Sequence, residues 1–263
     1  MATRCFVCET ACAPYFTKVM PDVGPVTYVR CPSCGCVYAK TLLDWPSEQW
    51  DMWCTNYHAR RATLHEDPDD PRRQSRLQAQ ARSLAQAFVS GWIGGSPWLD
   101  YGAGDGRLST LIHAQLAERS PSRAEALHID RFDRYVLDSS YVSQPMLLTR
   151  SYSVVINTAV VEHVRSRAEL DVALARIDTT GTLALHTLVR AEIPRDPSWF
   201  YLLSVHTAFF TNEGMTRLFE QWGLRASTYD IDARLWLGFR GGLPSNLPQE
   251  WPVDPQGFTA YWP

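Results

Sequence analysis

The sequence predicts an α/β protein in which a parallel sheet with helices on both faces follows a small four-cysteine module. Three observations predict this arrangement: paired cysteines near the N-terminus, a glycine-rich turn between a short apolar run and an amphipathic segment, and later apolar runs suited to buried strands. Hydrophobic residues make up 45% of the 263 residues and charged residues 20%, a composition typical of folded domains and not of disordered ones.

Four of the seven cysteines form two Cys-x2-Cys pairs, Cys5 with Cys8 and Cys31 with Cys34. Two such turns brought together present four thiolates at the corners of a tetrahedron, which suits Zn²⁺. A shell closed by four cysteines leaves no position open for a substrate, so we expect a structural zinc ion. Cys36 is a less favoured substitute for Cys34, and we expect Cys12 and Cys54 to be small buried side chains.

The chain divides at changes in composition. We predict a zinc ribbon over residues 1–44, a helical linker or lid over 45–92, the main α/β domain over 93–240 and an extended, proline-punctuated tail over 241–263. Within the linker, three tryptophans anchor a short helix over 45–53, and Asp70 before Pro71 favours the start of a second helix.

A glycine-rich turn opens the main domain. Residues 97–101 read as a short strand, residues 102–106 hold three glycines, and an amphipathic helix begins at Arg107. This order is the opening of a nucleotide-binding βαβ unit, since glycines let the backbone approach a ligand closely and the helix start offers free N–H groups. The third glycine of a dinucleotide fingerprint is absent, because Arg107 stands in its place.

The stretch from Asp100 to Gly106 instead resembles the first motif of class I S-adenosylmethionine-dependent methyltransferases, which have a Rossmann-like sheet. In that family the loop wraps the methionine end of the cofactor, which here implies Asp100, Gly102, Ala103, Gly104 and Gly106. The family also has an acidic residue at the end of the second strand that accepts hydrogen bonds from the ribose hydroxyls. A second strand over 125–133 offers Asp130 and Asp133, of which Asp133 is preferred.

The resemblance continues further along the chain. The apolar run 152–158 reads as a central parallel strand ending in Asn157 and Thr158, also assigned to the cofactor, and Glu162-His163 follows it. This resembles the family's fourth motif, although Ser153 stands where the family has Asp. Residues 182–186 read as strand five, and 206–211 with the helix to Gly223 resemble the signature of a subgroup that carries N-terminal zinc ribbons. The resemblance covers about residues 5–40 and 93–240.

One stretch departs from the family pattern. Only about twenty residues separate Asp133 from the strand over 152–158, where the family fits a helix and a third strand. Strand three is either compressed around residues 144–148 or missing, which leaves the adenine contacts open.

Histidines are the candidate bases. Removing a proton from an acceptor hydroxyl near neutral pH suits imidazole. His206, His163 and His186, in that order, fall in loops or at strand ends that face the expected cleft, and each is also compatible with a structural role. Tyr57-His58 and the aromatic run 199–201 either cover the cleft as a lid or simply pack.

Taken together, the sequence predicts methyl transfer to a small-molecule acceptor, such as O-methylation of a sugar, a nucleotide-linked sugar or a secondary metabolite. The alternatives are an RNA methyltransferase that uses the ribbon for its substrate, and a non-catalytic binding protein on the same fold. The formal charge of −3 disfavours a nucleic-acid partner, and no run reaches the roughly 20 apolar residues of a membrane span. Free cysteines and the absence of a signal-like start predict a cytoplasmic protein. We expect a monomer or a homodimer.

Overall fold

The computed structural model describes residues 3–61, 70–136, 138–247 and 253–254, and the strands in these ranges form two sheets. The strands are β1 Ala13–Met20, β2 Gly24–Arg30, β3 Val37–Ala39, β4 Trp98–Tyr101, β5 Ile129–Phe132, β6 Tyr152–Thr158, β7 Ile177–His186, β8 Val189–Arg190, β9 Ala208–Thr211, β10 Ala226–Asp230, β11 Leu235–Phe239 and β12 Val253–Asp254. The helices are α1 Lys40–Leu43, α2 Ser47–Arg61, α3 Pro71–Val89, α4 Arg107–Arg119, α5 Pro121–Ala126, α6 Gln144–Thr149, α7 Arg167–Leu174 and α8 Asn212–Gln221.

The larger sheet has the strand order β12-β10-β11-β7-β6-β4-β5. The strands β5, β4, β6 and β7 are parallel to one another, and β11, β10 and β12 add antiparallel strands on one side. The chain leaves β4 to form β5 on one side and returns to form β6 on the other. This reversal creates a crevice at the carboxyl ends of β4 and β6, where open α/β sheets bind their ligands. The predicted α/β fold is confirmed.

Helices cover both faces of this sheet. On one face α3 and α4 pack in an apolar cluster with Leu84, Trp98 and Ile112, all of them buried. On the other face α7 and α8 contribute Leu170 and Leu218 to a second cluster. The predicted start of α3 is present, because the Asp70 carboxylate accepts a hydrogen bond of 2.8 Å from the Arg72 N–H.

Within the described residues β5 is the last strand on its side of the sheet, and no strand pairs with it on the side away from β4. In the described stretches between β5 and β6, α6 occupies residues 144–149, so of the two alternatives for this region the missing strand is the one observed. The expected strand over 125–133 is also shorter than predicted. Pro121, at the first turn, starts α5, whose Ala and Glu residues favour a helix, and β5 begins only at Ile129.

The smaller sheet joins the cysteine module to the main domain. Its order is β1-β2-β3-β9-β8, and β3 pairs antiparallel with β9. From the sequence, residues 206–211 are expected only as a stretch that precedes a helix, whereas residues 208–211 form β9 and all four are buried. Pairing with β9 supplies backbone hydrogen bonds to the edge of the short strand β3. The two strands are far apart in the chain, so the local sequence does not encode this pairing.

Residues 253–254 of the predicted tail form β12, which pairs with β10, and the rest of the tail beyond residue 247 lies outside the described residues. The predicted division into four segments stays a prediction, and the ribbon strands share a sheet with β8 and β9. Among the described helices, none is long and apolar enough to cross a membrane.

Candidate functional site

The glycine loop between β4 and α4 lies at the crevice. Gly102, Gly104 and Gly106 all have left-handed backbones, with φ of 76°, 55° and 70°. A Cβ on Gly102 would lie 2.4 Å from a methyl carbon of Val160, whereas a Cβ on Gly104 would have no atom within 4 Å. The loop is therefore tight against the sheet at its start and open at its centre, the shape expected of a backbone surface that a ligand approaches.

The structure separates the two aspartates proposed for the ribose. Asp133 directly follows β5, and its carboxylate accepts hydrogen bonds of 2.9 Å from the Gly104 N–H and 2.8 Å from the Tyr135 N–H. Asp130 instead lies within β5 and is 6% exposed. Of the two, Asp133 is the one beside the glycine loop.

The Asp130 carboxylate is held in a hydrogen-bond network by side chains from outside β5. It accepts hydrogen bonds from the Arg150 guanidinium at 2.6 Å, the Tyr152 hydroxyl at 2.8 Å and the His128 ring at 2.8 Å. Burial by itself would raise the pKa of Asp130, but these bonds together lower it below its ordinary value. This carboxylate is thus already satisfied by structural partners.

The other proposed cofactor residues lie around the same loop. Asp100 is 2% exposed and accepts a hydrogen bond of 2.6 Å from the Ser109 hydroxyl, and its burial raises its pKa to about 6. The Ala103 N–H donates to the Phe132 carbonyl, which fixes the loop to β5. Asn157, at the end of β6 beside half-buried Thr158, has a buried Oδ1 without a hydrogen-bond partner in the described part of the chain.

Two of the three candidate histidines lie against each other. The ring centroids of His163 and His206 are 4.8 Å apart in an edge-to-face arrangement. His163 Nδ1 lies 2.9 Å from the Val205 carbonyl, and His206 Nδ1 lies 2.8 Å from the Tyr201 carbonyl. Because a carbonyl can only accept, each neutral ring carries its proton on Nδ1 and has its lone pair on Nε2. Both rings therefore have the tautomer that a base acting through Nε2 requires.

Glu162 lies beside this histidine pair but is 2% exposed. Its carboxylate accepts hydrogen bonds of 2.7 Å from the Tyr201 hydroxyl and 3.0 Å from the Thr187 hydroxyl. One ligand atom from each of Glu162, His163 and His206 lies within 4.8 Å of the others, a set that could hold a metal ion. The nearby cationic charge of Arg76, which interacts with Glu162, opposes a dication there.

His186 differs from the other two histidines. It ends β7, is 7% exposed, and its Nδ1 lies 2.7 Å from the Arg234 carbonyl. Burial, and after it the charge of Arg76, lowers the pKa of His186 to about 3. A ring with so low a pKa is a weak proton acceptor near neutral pH, so His186 is the poorest base of the three.

The four paired cysteines converge at the N-terminus. The Sγ atoms of Cys5 and Cys34 are 3.4 Å apart, those of Cys8 and Cys31 3.4 Å, and those of Cys8 and Cys34 3.9 Å. A tetrahedral zinc ion with Zn–S bonds of about 2.3 Å requires S–S separations of about 3.8 Å. The four sulfurs therefore fit a single zinc ion. Cys36 is fully buried with its sulfur 3.9 Å from the Thr211 hydroxyl, outside this set.

The cysteine module holds the chain segment that carries Tyr201 and His206. Four hydrogen bonds join residues 15–39 to residues 193–207, in addition to the β3–β9 pairing. They are Tyr15 Oη to the Ile193 carbonyl at 2.8 Å, Lys18 Nζ to the Leu202 carbonyl at 3.0 Å, the Ala39 N–H to the Thr207 carbonyl at 2.9 Å, and the Ser204 hydroxyl to Asp22 at 2.8 Å. We call residues 193–207 the acceptor segment.

Sequence reasoning missed part of this site. Tyr201 was considered for a lid, yet it is the hydroxyl donor to Glu162, and its ring centroid is 4.4 Å from that of His206. Thr187 and Arg76 were not singled out, and no local motif marks them. Tyr57 is buried, Trp199 packs on Phe209, Phe200 is 70% exposed and the side chain of His58 lies outside the described residues, so a lid made by these aromatics stays a prediction.

Comparisons with known proteins give remote structural matches. No protein-family model matches the chain, and no curated protein matches it by sequence. Among solved structures, the DhpI–SAH complex is 16% identical over 74% of this chain and 98% of its own, with a TM-score of 0.43. Magnesium protoporphyrin IX methyltransferase from Synechocystis PCC 6803 with bound SAH is 16% identical over 74% and 95%, with a TM-score of 0.38. The plantazolicin methyltransferase BpumL, in complex with SAH and a substrate analogue, is 13% identical over 71% and 84%, with a TM-score of 0.38.

These likenesses are too distant to assign a function or the role of any residue. The Rossmann-like α/β arrangement follows from the chain's own strand order, with its reversal at β4 and β6.

Proposed function

We propose that this chain is an S-adenosylmethionine-dependent methyltransferase that acts on a small-molecule acceptor. The single observation behind the proposal is the placement of two groups at one edge of the parallel sheet. The open glycine loop with Asp133 follows β4 and β5, and the paired rings of His163 and His206 lie beyond the end of β6. A cofactor seat and a base at the same edge are what methyl transfer requires.

In this proposal the glycine loop with Asp133 binds the cofactor, and the histidine pair acts on the acceptor. Bound S-adenosylmethionine would supply an activated methyl group on a sulfonium sulfur. Asp133 and the backbone around Gly104 would hold the cofactor, while Nε2 of His206 would take the proton from an acceptor hydroxyl as its oxygen attacks the methyl carbon and the C–S bond breaks toward sulfur. Glu162 accepts from Tyr201, whose main-chain carbonyl accepts from His206 Nδ1, so this carboxylate positions the segment and not the methyl group.

The finer assignments are part of the proposal. We expect O-methylation of a sugar, a nucleotide-linked sugar or a secondary metabolite in the cytoplasm, with one structural zinc ion bound by the four paired cysteines. Strand β3 of the ribbon pairs with β2 on one side and with β9 on the other, so neither of its edges is open to a substrate. This favours a scaffold role for the ribbon over an RNA-binding one. His163 is the second candidate base, and His186 the third.

Calorimetric titration with S-adenosylhomocysteine tests the cofactor half. The wild type should bind it, and Asp133→Ala should weaken binding about 10- to 100-fold, because a carboxylate that accepts from two hydroxyls contributes charge-assisted hydrogen bonds. Asp138→Ala, on the exposed turn that follows, is the matched control and should bind like the wild type. A wild type without any affinity would contradict the proposal.

A screen of acceptors with labelled S-adenosylmethionine tests the base. His206→Gln should lower turnover by at least about 100-fold while leaving S-adenosylhomocysteine affinity unchanged. His113→Gln, on α4, is the matched control and should retain full turnover. If His206→Gln kept its rate and His163→Gln lost it, the base would be His163; RNA as the only accepted substrate would overturn the small-molecule assignment.

A further inference from the structure

A groove lies between the turn that joins β1 to β2 and the start of α2. Its volume is about 340 Å³, which is the size of a small-molecule site. Trp45, Met52 and Trp53 line it with apolar surface, and two amide side chains of α2 complete that part of the wall. Asp22, next to Val23 in the turn, is the charged side chain among the lining residues that the structure describes. The groove therefore combines aromatic walls with one negative charge.

Trp45 and Trp53 form an aromatic corner. Their ring centroids are 5.7 Å apart and their planes are inclined at 85°. Both side chains are half-buried, so part of each ring is accessible from the groove. An indole ring has a negative face that attracts a cation, and two perpendicular rings present their faces to the same cation. The corner is thus suited to a positively charged group.

A third tryptophan of this cluster already contacts a cation. The guanidinium carbon of Arg165 lies 5.4 Å from the centroid of the Trp50 ring, which is itself 6.5 Å from the centroid of Trp45. Arg165 also donates to the Trp45 carbonyl, so it fixes the backbone at the corner. Neither Arg165 nor Trp50 lines the groove, so the faces of Trp45 and Trp53 that do line it are left to a ligand.

One residue fixes both the corner and the carboxylate. The Ser204 hydroxyl donates to Asp22 at 2.8 Å, and the Trp53 Nε1–H donates to the Ser204 carbonyl at 3.0 Å. Ser204 is buried, so packing sets its position. A single neutral hydroxyl does not cancel the charge of a carboxylate, and Asp22 therefore remains attractive to a cation in the groove.

The chemistry of the lining favours a methylated ammonium over other ligands. A divalent metal ion requires about six oxygen ligands, whereas the described lining has one carboxylate and two amides. A primary ammonium is strongly hydrated and loses that water against tryptophan, and the charge of Asp22 repels an anion. The methyl groups of a quaternary ammonium instead lie on aromatic surface and on the exposed thioether of Met52, while the nitrogen keeps its charge.

We propose that this groove binds a small molecule with a quaternary ammonium group. Its methyl groups contact the faces of Trp45 and Trp53 and the Met52 side chain, and its charge lies beside Asp22. The site goes beyond the proposed methyl transfer and does not depend on it, since the lining includes no residue of the glycine loop or of the histidine pair.

Choline and its uncharged isostere, 3,3-dimethyl-1-butanol, test the site, because the isostere has a carbon atom in place of the nitrogen. Ligand-observed NMR titration measures both affinities, and the wild type should bind choline at least about 10-fold more tightly. Trp45→Leu removes the π face and Asp22→Asn removes the charge. Each should weaken choline binding about 5- to 10-fold and leave isostere binding unchanged, and Trp45→Phe should fall between Trp45→Leu and the wild type.

The matched control is Asp232→Asn, an exposed aspartate on the turn between β10 and β11, which should bind choline like the wild type. Absence of choline binding up to about 20 mM, or equal affinity of the wild type for the two probes, would overturn the site. Equal weakening of both probes in Trp45→Leu and in Asp22→Asn would mean that charge plays no part, and would overturn it too. Displacement of choline by S-adenosylhomocysteine would place choline in the cofactor crevice and contradict the groove.

Discussion

Loss of the zinc site should release the acceptor segment while leaving the cofactor half in place. The perturbation is Cys8→Ser, which removes one of the four sulfurs. Structural zinc sites contribute on the order of 10 kcal/mol to the folding of small metal-binding modules, so the ribbon should open without its ion. None of the hydrogen bonds described above joins the glycine loop or Asp133 to the four cysteines. The loop and Asp133 should therefore keep their geometry when the zinc site is lost.

The magnitude follows from the contacts between the module and the acceptor segment. Four hydrogen bonds join them, namely those made by Tyr15, Lys18, Ala39 and Ser204. At about 1 kcal/mol net for each, their loss lowers the opening free energy of the acceptor segment by about 4 kcal/mol. Because each 1.4 kcal/mol is a factor of ten, amide exchange in residues 193–207 should accelerate about 10³-fold.

The assay is hydrogen–deuterium exchange measured by mass spectrometry on peptides covering residues 193–207 and 98–119, with calorimetry of S-adenosylhomocysteine binding in parallel. Affinity should stay within about threefold of the wild type. Cys12→Ser is the matched control, because Cys12 belongs to the same module but lies outside the four-sulfur set, and it should leave exchange unchanged. Unaltered exchange in the acceptor segment of Cys8→Ser, or equal acceleration around the glycine loop, would refute the scaffold role.

Two further predictions concern single residues. Gly102→Ala should lower the free energy of unfolding by roughly 2–4 kcal/mol, because φ is 76° and the new Cβ would lie 2.4 Å from a methyl carbon of Val160. Urea denaturation measures this loss. Gly95→Ala is the control and should be near neutral, because a Cβ at that position would have no atom within 4 Å. His186 has a folded pKa of about 3, so its contribution to stability is fully present above its unfolded pKa of about 6.5 and is lost as pH falls toward 3. Between pH 7 and pH 5 the wild type should lose about 2 kcal/mol more stability than His186→Gln, as urea denaturation at each pH measures, and equal slopes for the two proteins would contradict the low pKa.

The sequence by itself determined the features that depend on short spacings. The two Cys-x2-Cys pairs place two thiolates on one turn each, the three glycines mark a left-handed loop, and the apolar run 152–158 is a buried strand wherever it packs. Asp70 before Pro71 likewise specifies the start of α3. Each of these follows from local backbone geometry or burial period, which neighbouring residues control.

Tertiary structure decided everything that joins distant parts of the chain. Asp130 and Asp133 differ by three positions, and only the packing of Arg150 and Tyr152 satisfies one carboxylate while the Gly104 N–H binds the other. In the part of the chain that the structure describes, no strand takes the place expected for strand three, and β9 pairs with the ribbon, because sheet pairing depends on which edges meet in space. The contacts of Tyr201 with Glu162, and of the cysteine module with the acceptor segment, span 39 to 184 positions, a distance over which no sequence period carries information.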